Sequence, residues 1–268
     1  MCSNKSTILD ANSKDYVNSL ERGLAVIRCF DKDRCQLSLT EVAKHTNLAR
    51  ATARRFLHTL HALGYVEIDG KLFRLSSKVL NLGFAYLSSQ PLVDLIQPYI
   101  REVSDKTGES CSAAVLDMPD IVYIARSVTQ QIMSVSLHVG TRLPILSTAM
   151  GRVLLASMSD DEVESFIKKT KINKYTKYTL TNYISILDEV IKVRKEGYAI
   201  VDQELEIGLC SVSVPILNRG GQVLAAINIC SQPQKMDKKR LRSELIPYLK
   251  EAAGKISEVL PADERLAI

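Results

Sequence analysis

The sequence lacks the features that mark a membrane or secreted protein. No uncharged apolar run approaches the roughly 18 residues that a membrane-spanning helix needs. Residues 1–15 are polar and contain no apolar segment of the kind found in a secretory signal. Six cysteines occur without a CxxC pair, and a chain of 268 residues can build its core without disulfides. We therefore expect a cytoplasmic protein with reduced thiols and no membrane partner.

The motifs of common enzyme chemistries are also missing. The chain has no Walker loop, no HExxH, no GxSxG and no GxGxxG segment. His138 is the only histidine after residue 90. Asp202, Glu204 and Glu206 alternate without a neighbouring histidine, so we expect them to be solvent-exposed or to cap helix ends. The sequence predicts no catalytic residue, no metal and no cofactor.

The small net charge of the chain conceals an uneven distribution. Lys and Arg number 35 against 30 Asp and Glu, which gives a net charge of +5. Residues 1–90 hold 13 basic and 8 acidic side chains, a difference of +5, whereas residues 91–268 hold 22 of each. Hydrophobic residues make up 46% and charged residues 24%, which is typical of a globular chain. This balance predicts a basic N-terminal module with a polyanionic partner, joined to a neutral module.

The basic part has the pattern of three helices. Residues 19–30 are predicted to form the first, and residues 37–46 contain a short second helix that Ser38 or Thr40 can cap. A turn at residues 46–48 leads to a third helix that ends at Gly64. The predicted apolar face of the first helix consists of Leu20, Leu24, Ile27 and Phe30. A short helix, a tight turn and a longer helix together indicate a helix-turn-helix.

The beginning of the third helix carries side chains that can read DNA, namely Arg50, Thr52, Arg54 and Arg55. Arginine can bond guanine through two hydrogen bonds, and threonine can contact the methyl group of thymine. Arginines on a helix are often only solvated. Three of them within six residues, in the one positively biased part of the chain, favour contact with base edges.

A hairpin and a connecting helix follow the third helix. Strands at residues 65–68 and 72–75 are joined by Asp69-Gly70, a strong hairpin signal, so the hairpin is placed as a wing. We expect four side chains to hold DNA phosphates: Ser19, Lys44, Lys71 and Arg74. An apolar pattern from Ser76 to Leu87 predicts a helix that connects the two modules.

The neutral part combines helices and strands in the manner of an α+β domain. Its predicted helices span residues 92–106, 147–157, 160–169, 184–196 and 238–259, the last with a kink or break at Pro247. Its predicted strands span residues 110–116, 121–125, 133–137, 198–201, 209–216 and 223–230. The basic stretch at residues 168–178 is predicted as a solvated connection between helices.

Four features occur together in a combination specific to one family. They are the helix-turn-helix with its Asp-Gly hairpin, TRLPILSTAMGR at residues 141–152, residues 197–204, and GLCSVSVPI at residues 208–216. With these segments, about residues 16–260 resemble the IclR family of bacterial transcription regulators. ATARRFL at residues 51–57, LGYV at 63–66 and TAMGRVLLA at 148–156 are most similar to the PcaR/PcaU/PobR branch. That branch regulates the breakdown of aromatic acids through the β-ketoadipate pathway.

The resemblance implies an α+β chain with an N-terminal winged helix-turn-helix, a connecting helix and a C-terminal GAF-like effector-binding domain. The expected bounds are 1–15 for a flexible tail, 16–76 for the DNA-binding domain, 77–91 for the linker helix and 92–264 for the effector-binding and oligomerisation domain. The implied function is ligand-responsive transcription regulation without enzymatic activity. The implied partners are double-stranded operator DNA, a small organic acid, a second copy of the chain or a dimer of dimers, and RNA polymerase.

The resemblance also implies where the effector binds, on the inner sheet beside the helix after the Arg-Leu-Pro segment. The implied walls are Leu143 and Leu209, and the implied backbone donors are Ala149 and Met150. The implied polar side chains are Ser211, Asn228 and Cys230, with Asp202 or its neighbour Val201 near the rim. An aromatic acid such as protocatechuate or 4-hydroxybenzoate, or β-ketoadipate, is the implied ligand. Arg142 is the candidate cation for its carboxylate, with a structural ion pair as the alternative role.

Two other functions stay open on the sequence alone. A thiol-switched regulator without a small-molecule effector would use Cys210 and Cys230, which lie on strands that can be adjacent. An enzyme with a DNA-binding head would need a nucleophile–base pair in the neutral module, where the sequence offers only His138 as a histidine base.

Overall fold

The computed structural model describes residues 13–31, 33–83, 91–129 and 137–260. Contacts along the chain separate two compact units, one within residues 1–86 and one within residues 87–268. The predicted α+β class is confirmed, with a helix-turn-helix unit first and a mixed helix and sheet unit second. The finer domain bounds of 1–15, 16–76, 77–91 and 92–264 stay a prediction.

The first unit is a three-helix bundle with a small antiparallel sheet. Its elements are α1 (Asn18–Arg28), β1 (Leu37–Ser38), α2 (Leu39–Thr46), α3 (Arg50–Ala62), β2 (Val66–Asp69) and β3 (Leu72–Leu75). The strand order is β1-β3-β2. The short strand β1 was not predicted, because two residues are too few to show an alternating pattern.

Local chemistry explains the helix-turn-helix. The Ser38 hydroxyl accepts a hydrogen bond from the Glu41 backbone N–H, and the Glu41 carboxylate accepts one from the Ser38 backbone N–H, so a capping box begins α2. Asn47 ends α2 with φ of 53°, and Gly64 follows α3 with φ of 81°. Both positions lie in the left-handed region that Asn and Gly tolerate best, which fixes the tight turn and the end of α3.

The predicted apolar face of the first helix is confirmed for Ile27 and Phe30, which pack into the core of the first unit, and is wrong for Leu20 and Leu24. Leu20 and Leu24 are 63% and 45% exposed, whereas Val26 is completely buried. Gly23 lies beside α3, because a Cβ atom on Gly23 would come within 3.8 Å of Phe56 Cδ1. The face of α1 that carries Gly23 and Val26 is therefore the one that lies against α3, and Leu20 and Leu24 lie on other sides of the helix.

The connecting helix is described only in part. A 3₁₀ turn at Ser77–Val79 leads into helical residues 80–83, and the Ser76 hydroxyl accepts from the Lys78 N–H at its start. Residues 84–90 of the predicted linker lie outside the described residues.

The second unit is built on a six-stranded antiparallel sheet in the order β6-β5-β4-β9-β8-β7. Its strands are β4 (Ser110–Asp117), β5 (Asp120–Ser127), β6 (Arg142–Pro144), β7 (Ala199–Asp202), β8 (Cys210–Leu217) and β9 (Val223–Ser231). Its helices are α4 (Pro91–Thr107), α5 (Ala149–Leu155), α6 (Asp160–Lys169), α7 (Tyr183–Glu196) and α8 (Ile246–Val259). The predicted strand at residues 133–137 lies outside the described residues except for Leu137.

Each face of this sheet is covered by helices and has its own hydrophobic core. The first face packs against α4 and α8, and the second face packs against α5, α6 and α7. The predicted break near Pro247 takes the form of a π-helical segment, Leu241–Leu245, directly before α8. Proline lacks the N–H that would continue the helical hydrogen bonds, so the change of helix type falls there. Within the described ranges, every helix is too short or too polar to traverse a bilayer.

Candidate nucleic-acid interface and ligand pocket

The open face of α3 carries the predicted base-reading arginines. Arg50, Arg54 and Arg55 are exposed, and Thr52 is half-buried. The opposite face of α3 packs into the core of the first unit through Ala53, Leu57 and Leu60. The helical period therefore leaves three guanidinium groups free to approach a partner, as the sequence predicts.

The start of α3 is favourable for a phosphate group. Ala49 at the N-cap makes no side-chain hydrogen bond, and the first turn of α3 contains no acidic residue. The N-terminal N–H groups and the positive end of the helix dipole therefore lack a side-chain acceptor there. Arg54 Nε donates a hydrogen bond to His58 Nε2, one turn later, at 3.4 Å. This bond keeps the Arg54 side chain along the exposed face of α3.

The predicted phosphate contacts are distributed over α1, α2 and the hairpin. Ser19 is exposed in the first turn of α1, and Lys44 is exposed in the last turn of α2. Lys71 is exposed beside the hairpin turn, where Gly70 has φ of 60°. Arg74 pairs with Glu67 across the hairpin at 2.7 Å. Both partners of that pair are half-exposed, so the pair is weak and can exchange for a phosphate.

A narrow pocket lies on the second face of the six-stranded sheet, against the start of α5. The described residues that line it include no carboxylate and no lysine or arginine. They are Tyr123, Leu143, Ser147, Thr148, Ala149, Met150, Val201, Leu205, Leu209, Ser211, Asn228 and Cys230. Seven residues of the predicted site are brought together in this lining: Leu143, Ala149, Met150, Leu209, Ser211, Asn228 and Cys230. The free volume is about 30 Å³.

Neighbouring strands hold the polar floor of this pocket. Asn228 Nδ2 donates to Ser211 Oγ at 3.0 Å and to Cys230 Sγ at 3.0 Å. Asn228 Oδ1 is buried and accepts no hydrogen bond from the described residues. Burial raises the pKa of Tyr123 and of Cys230, so both are neutral at physiological pH. The floor is therefore polar and uncharged, with an acceptor available to a ligand hydroxyl group.

Arg142 and Asp202 lie outside this lining. Arg142 Nη1 and Nε contact Asp117 Oδ2 at 2.5 Å and Asp120 Oδ2 at 3.2 Å, so the guanidinium fastens the β4–β5 turn. These carboxylates raise the pKa of Arg142. Asp202 is exposed, because Val201, next to it on β7, is the residue that faces the pocket. Arg142 thus makes the ion pair that the sequence left as its alternative role.

A larger and more open cavity, of about 340 Å³, lies beside the pocket and shares Ser147 with it. Its other sides are lined by the turn between β4 and β5, by residues 144–146, and by residues 169–173 with Tyr175. In the narrow pocket, by contrast, an apolar wall meets the converging polar groups of Ser211, Asn228 and Cys230.

Glu204 has a role that the sequence did not indicate. It is 7% exposed, and its Oε2 lies 2.6 Å from Nη2 of Arg152, which is 1% exposed. The Glu204 carboxylate also accepts from the Leu180 N–H, and its backbone carbonyl accepts from Thr179 Oγ1. The expectation of solvent exposure is wrong for Glu204, because α5 supplies a buried cation to it. No group of three His, Cys, Asp or Glu that could hold a metal exists within the described residues.

The geometry of the sheet contradicts a disulfide between Cys210 and Cys230. On the β8–β9 ladder, Cys210 stands opposite Ser231, and Ser211 stands opposite Cys230. Because successive side chains alternate, Cys210 faces the first core and Cys230 faces the pocket. Burial raises the pKa of Cys210 to about 12 and also raises that of Cys230. The thiol-switch alternative therefore loses the pair on which it relied.

The thiols are expected to react in order of exposure. Cys35 is exposed, whereas a pKa of about 12 leaves Cys210 with roughly a thousandfold less thiolate than an ordinary cysteine. Iodoacetamide at neutral pH should modify Cys35 well before Cys210 or Cys230, as followed by peptide mass spectrometry. A Cys210–Cys230 disulfide after mild oxidation would contradict this structure.

A basic winged helix-turn-helix, together with a second unit that holds an uncharged internal pocket, defines the class of DNA-binding regulators that carry a ligand-binding domain. The family model described as the IclR helix-turn-helix domain matches residues 19–70. The model described as the C-terminal part of the bacterial transcriptional regulator IclR matches residues 84–258. The chain belongs to the IclR family of transcriptional regulators.

Individual relatives are similar along most of the chain. The Pca regulon regulatory protein of Pseudomonas putida is 42% identical over 236 residues, which is 88% of this chain and 81% of that protein. The p-hydroxybenzoate hydroxylase transcriptional activator of Acinetobacter baylyi is 34% identical over 257 residues, 94% of each protein. A structure from Rhodococcus sp. RHA1, described as a transcriptional regulator, has a TM-score of 0.81 and 45% identity over 91% of this chain and 98% of that one. Within the family, the chain is closely related to the Pca and PobR regulators of aromatic-acid catabolism.

Proposed function

We propose that this chain controls genes of aromatic-acid catabolism in the β-ketoadipate pathway. It binds operator DNA through α3 and the β2–β3 wing, and it binds a small organic acid in the narrow pocket. Candidate acids are protocatechuate, 4-hydroxybenzoate and β-ketoadipate. The observation that carries the ligand part is the lining of the pocket, in which apolar side chains meet Ser211, Asn228 and Cys230, and no lining residue within the described ranges has a carboxylate that would repel an acid.

The narrowness of the pocket suggests how a ligand acts. Its free volume of about 30 Å³ is far below the roughly 150 Å³ of a cavity that admits benzene. A ring can enter only if the walls move, and Leu205 and Leu209 lie on the loop between β7 and β8, next to the polar floor. A ligand changes DNA binding only if it binds one arrangement of the protein more tightly than the other.

We further propose an oligomeric state, a cellular location and partners for this chain. The chain works in the cytoplasm, has no enzymatic activity, and acts as a homodimer or a dimer of dimers, because one helix-turn-helix reads too few base pairs for specificity. Exposed apolar side chains on and just before α1, namely Val17, Leu20 and Leu24, are a surface that a second copy can cover. RNA polymerase is a further proposed partner.

The DNA part predicts a large effect of two arginines. The double variant Arg54→Ala/Arg55→Ala should weaken binding to a duplex from the promoter region beside its own gene by at least about 30-fold, because each arginine that reads a base contributes roughly 1–3 kcal/mol. Fluorescence anisotropy at one fixed salt concentration measures this loss.

A matched control removes the same charge elsewhere. The variant Lys174→Ala/Lys177→Ala deletes two exposed positive charges from the second unit and should change the affinity for DNA less than about threefold. Equal losses in both double variants would mean that only net charge matters. Unchanged affinity in the α3 variant would contradict its assignment as the recognition helix.

A further inference from the structure

An irregularity in β5 decides which way Arg126 faces. The β4–β5 register shifts after Ala113, which accommodates an extra residue in β5 as a β-bulge. Ile124 and Ala125 consequently both pack into the core of the first face, although they are neighbours in sequence. Tyr123 and Arg126, on either side of the bulge, therefore both face the side of the sheet that holds the pocket.

Arg126 is not one of the residues that line the narrow pocket, but cross-strand pairing places it in line with the polar floor of that pocket. Ser112 on β4 stands opposite Arg126, and Asn228 on β9 stands opposite Ser112. Residues directly opposite one another project to the same face. The charge of Arg126 acts on the lining residues Tyr123 and Cys230, where it opposes the rise in pKa that burial causes.

The Arg126 guanidinium has donors without acceptors. Its Nε and Nη1 atoms are buried, and within the described part of the chain neither donates a hydrogen bond. None of the ion pairs found among the same residues includes Arg126. The carboxylates of the β4–β5 turn pair with Arg142 instead. A buried N–H group of a cation is costly to leave unpaired, so this position is suited to the oxygens of an anion.

We propose that Arg126 binds the carboxylate of the effector, an assignment that rests on the proposed function of this pocket as the site of an organic acid. Each of these free donors shares an edge of the guanidinium with Nη2, so Nη2 together with Nε or with Nη1 can hold both oxygens of a carboxylate. This group is common to protocatechuate, 4-hydroxybenzoate and β-ketoadipate, so the assignment holds for each of them. Gln97 Nε2 donates to the Arg126 carbonyl oxygen at 3.1 Å and ties this end of β5 to α4, which gives the arginine a rigid base.

Calorimetric titration of the full chain tests the assignment with a matched pair of variants. Arg126→Gln and Arg142→Gln each remove one guanidinium from the second unit, but only Arg126 shares the pocket face. The ligands are the three acids, each alone, and the neutral analogue 4-hydroxybenzamide. For an acid that the wild-type chain binds, Arg126→Gln should weaken binding roughly 10- to 100-fold, whereas Arg142→Gln should change it less than about twofold.

The neutral analogue separates a carboxylate contact from damage to the pocket. Arg126→Gln should leave the affinity for 4-hydroxybenzamide within about twofold of wild type, and Arg126→Lys should lose less affinity for the acid than Arg126→Gln does. Thermal unfolding gives a second readout: the ligand-free Arg126→Gln chain should melt no lower than wild type, because two buried N–H groups of this arginine find no acceptor among the described residues.

The possible results distinguish the two proposals. A wild-type chain that binds none of the acids contradicts the proposed function and this assignment with it. A wild-type chain that binds an acid, with Arg126→Gln binding it equally well, overturns the Arg126 assignment alone. Equal losses for the acid and the amide in Arg126→Gln also overturn it, because a carboxylate contact cannot act on the amide in that way.

Discussion

Replacing Gly151 with alanine is expected to destabilise the second unit by at least about 3 kcal/mol, the upper range for overpacking a core. A Cβ atom on Gly151 would lie 2.0 Å from the Ile145 carbonyl oxygen and 2.6 Å from its carbonyl carbon. Those atoms are backbone in the 3₁₀ turn Ile145–Ser147 before α5, so no side chain can rotate aside. Either α5 or the turn must move, and both border the pocket.

Thermal unfolding measures the cost, since about 3 kcal/mol lowers the Tm of a unit of this size by roughly 6–12 °C. Gly254→Ala is the matched control. Gly254 is exposed within α8, and a Cβ atom there meets nothing within 4 Å. Alanine in an open helical position should stabilise the chain by roughly 0.5–1 kcal/mol. The same substitution should therefore act with opposite signs, and a Gly151→Ala chain as stable as wild type would contradict the close contact with Ile145.

Short-range chemistry made part of this fold predictable from the sequence. Ser38 with Glu41, and Ser159 with Glu162, are spaced for capping boxes, and both boxes form. Gly64 and Gly197 follow the last residues of apolar helical patterns, and both end helices with positive φ. These signals depend on residues within four positions of each other, so the local sequence is sufficient to predict where these helices begin and end.

Longer-range pairing was not predictable in the same way. A strict alternation along β5 places Tyr123 and Arg126 on opposite faces, and only the bulge, a property of pairing with β4, brings them together. Arg142 was the candidate cation from the sequence, whereas its partners Asp117 and Asp120 come from a turn more than twenty residues earlier, and no local pattern indicates that pairing. The leucines of α1 show the same limit, since packing against α3 buries Val26 and leaves Leu20 and Leu24 exposed.

The buried pair of Arg152 and Glu204 joins α5 to the loop that carries Leu205 and Leu209. Glu204→Gln removes the negative charge and leaves the Arg152 guanidinium buried without a counterion. Breaking a buried pair from one side costs roughly 3–5 kcal/mol, so the Tm should fall by about 6–20 °C. The same loop forms one wall of the pocket, and we expect the affinity for the effector to fall as well. Thermal unfolding followed by circular dichroism measures the first effect.

The size of this loss depends on burial and not on the presence of an ion pair. Arg142 makes equally short contacts with Asp117 but is 45% exposed, and water compensates most of a surface pair that is broken. Arg142→Gln should therefore cost no more than about 1 kcal/mol. The double variant Arg152→Met/Glu204→Leu should recover much of the stability that Glu204→Gln loses, since it leaves no unpaired charge inside the protein. Equal shifts in Tm for Glu204→Gln and Arg142→Gln would contradict the burial of the Arg152–Glu204 pair. They would also mean that this pair does not hold the loop that bears Leu205 and Leu209.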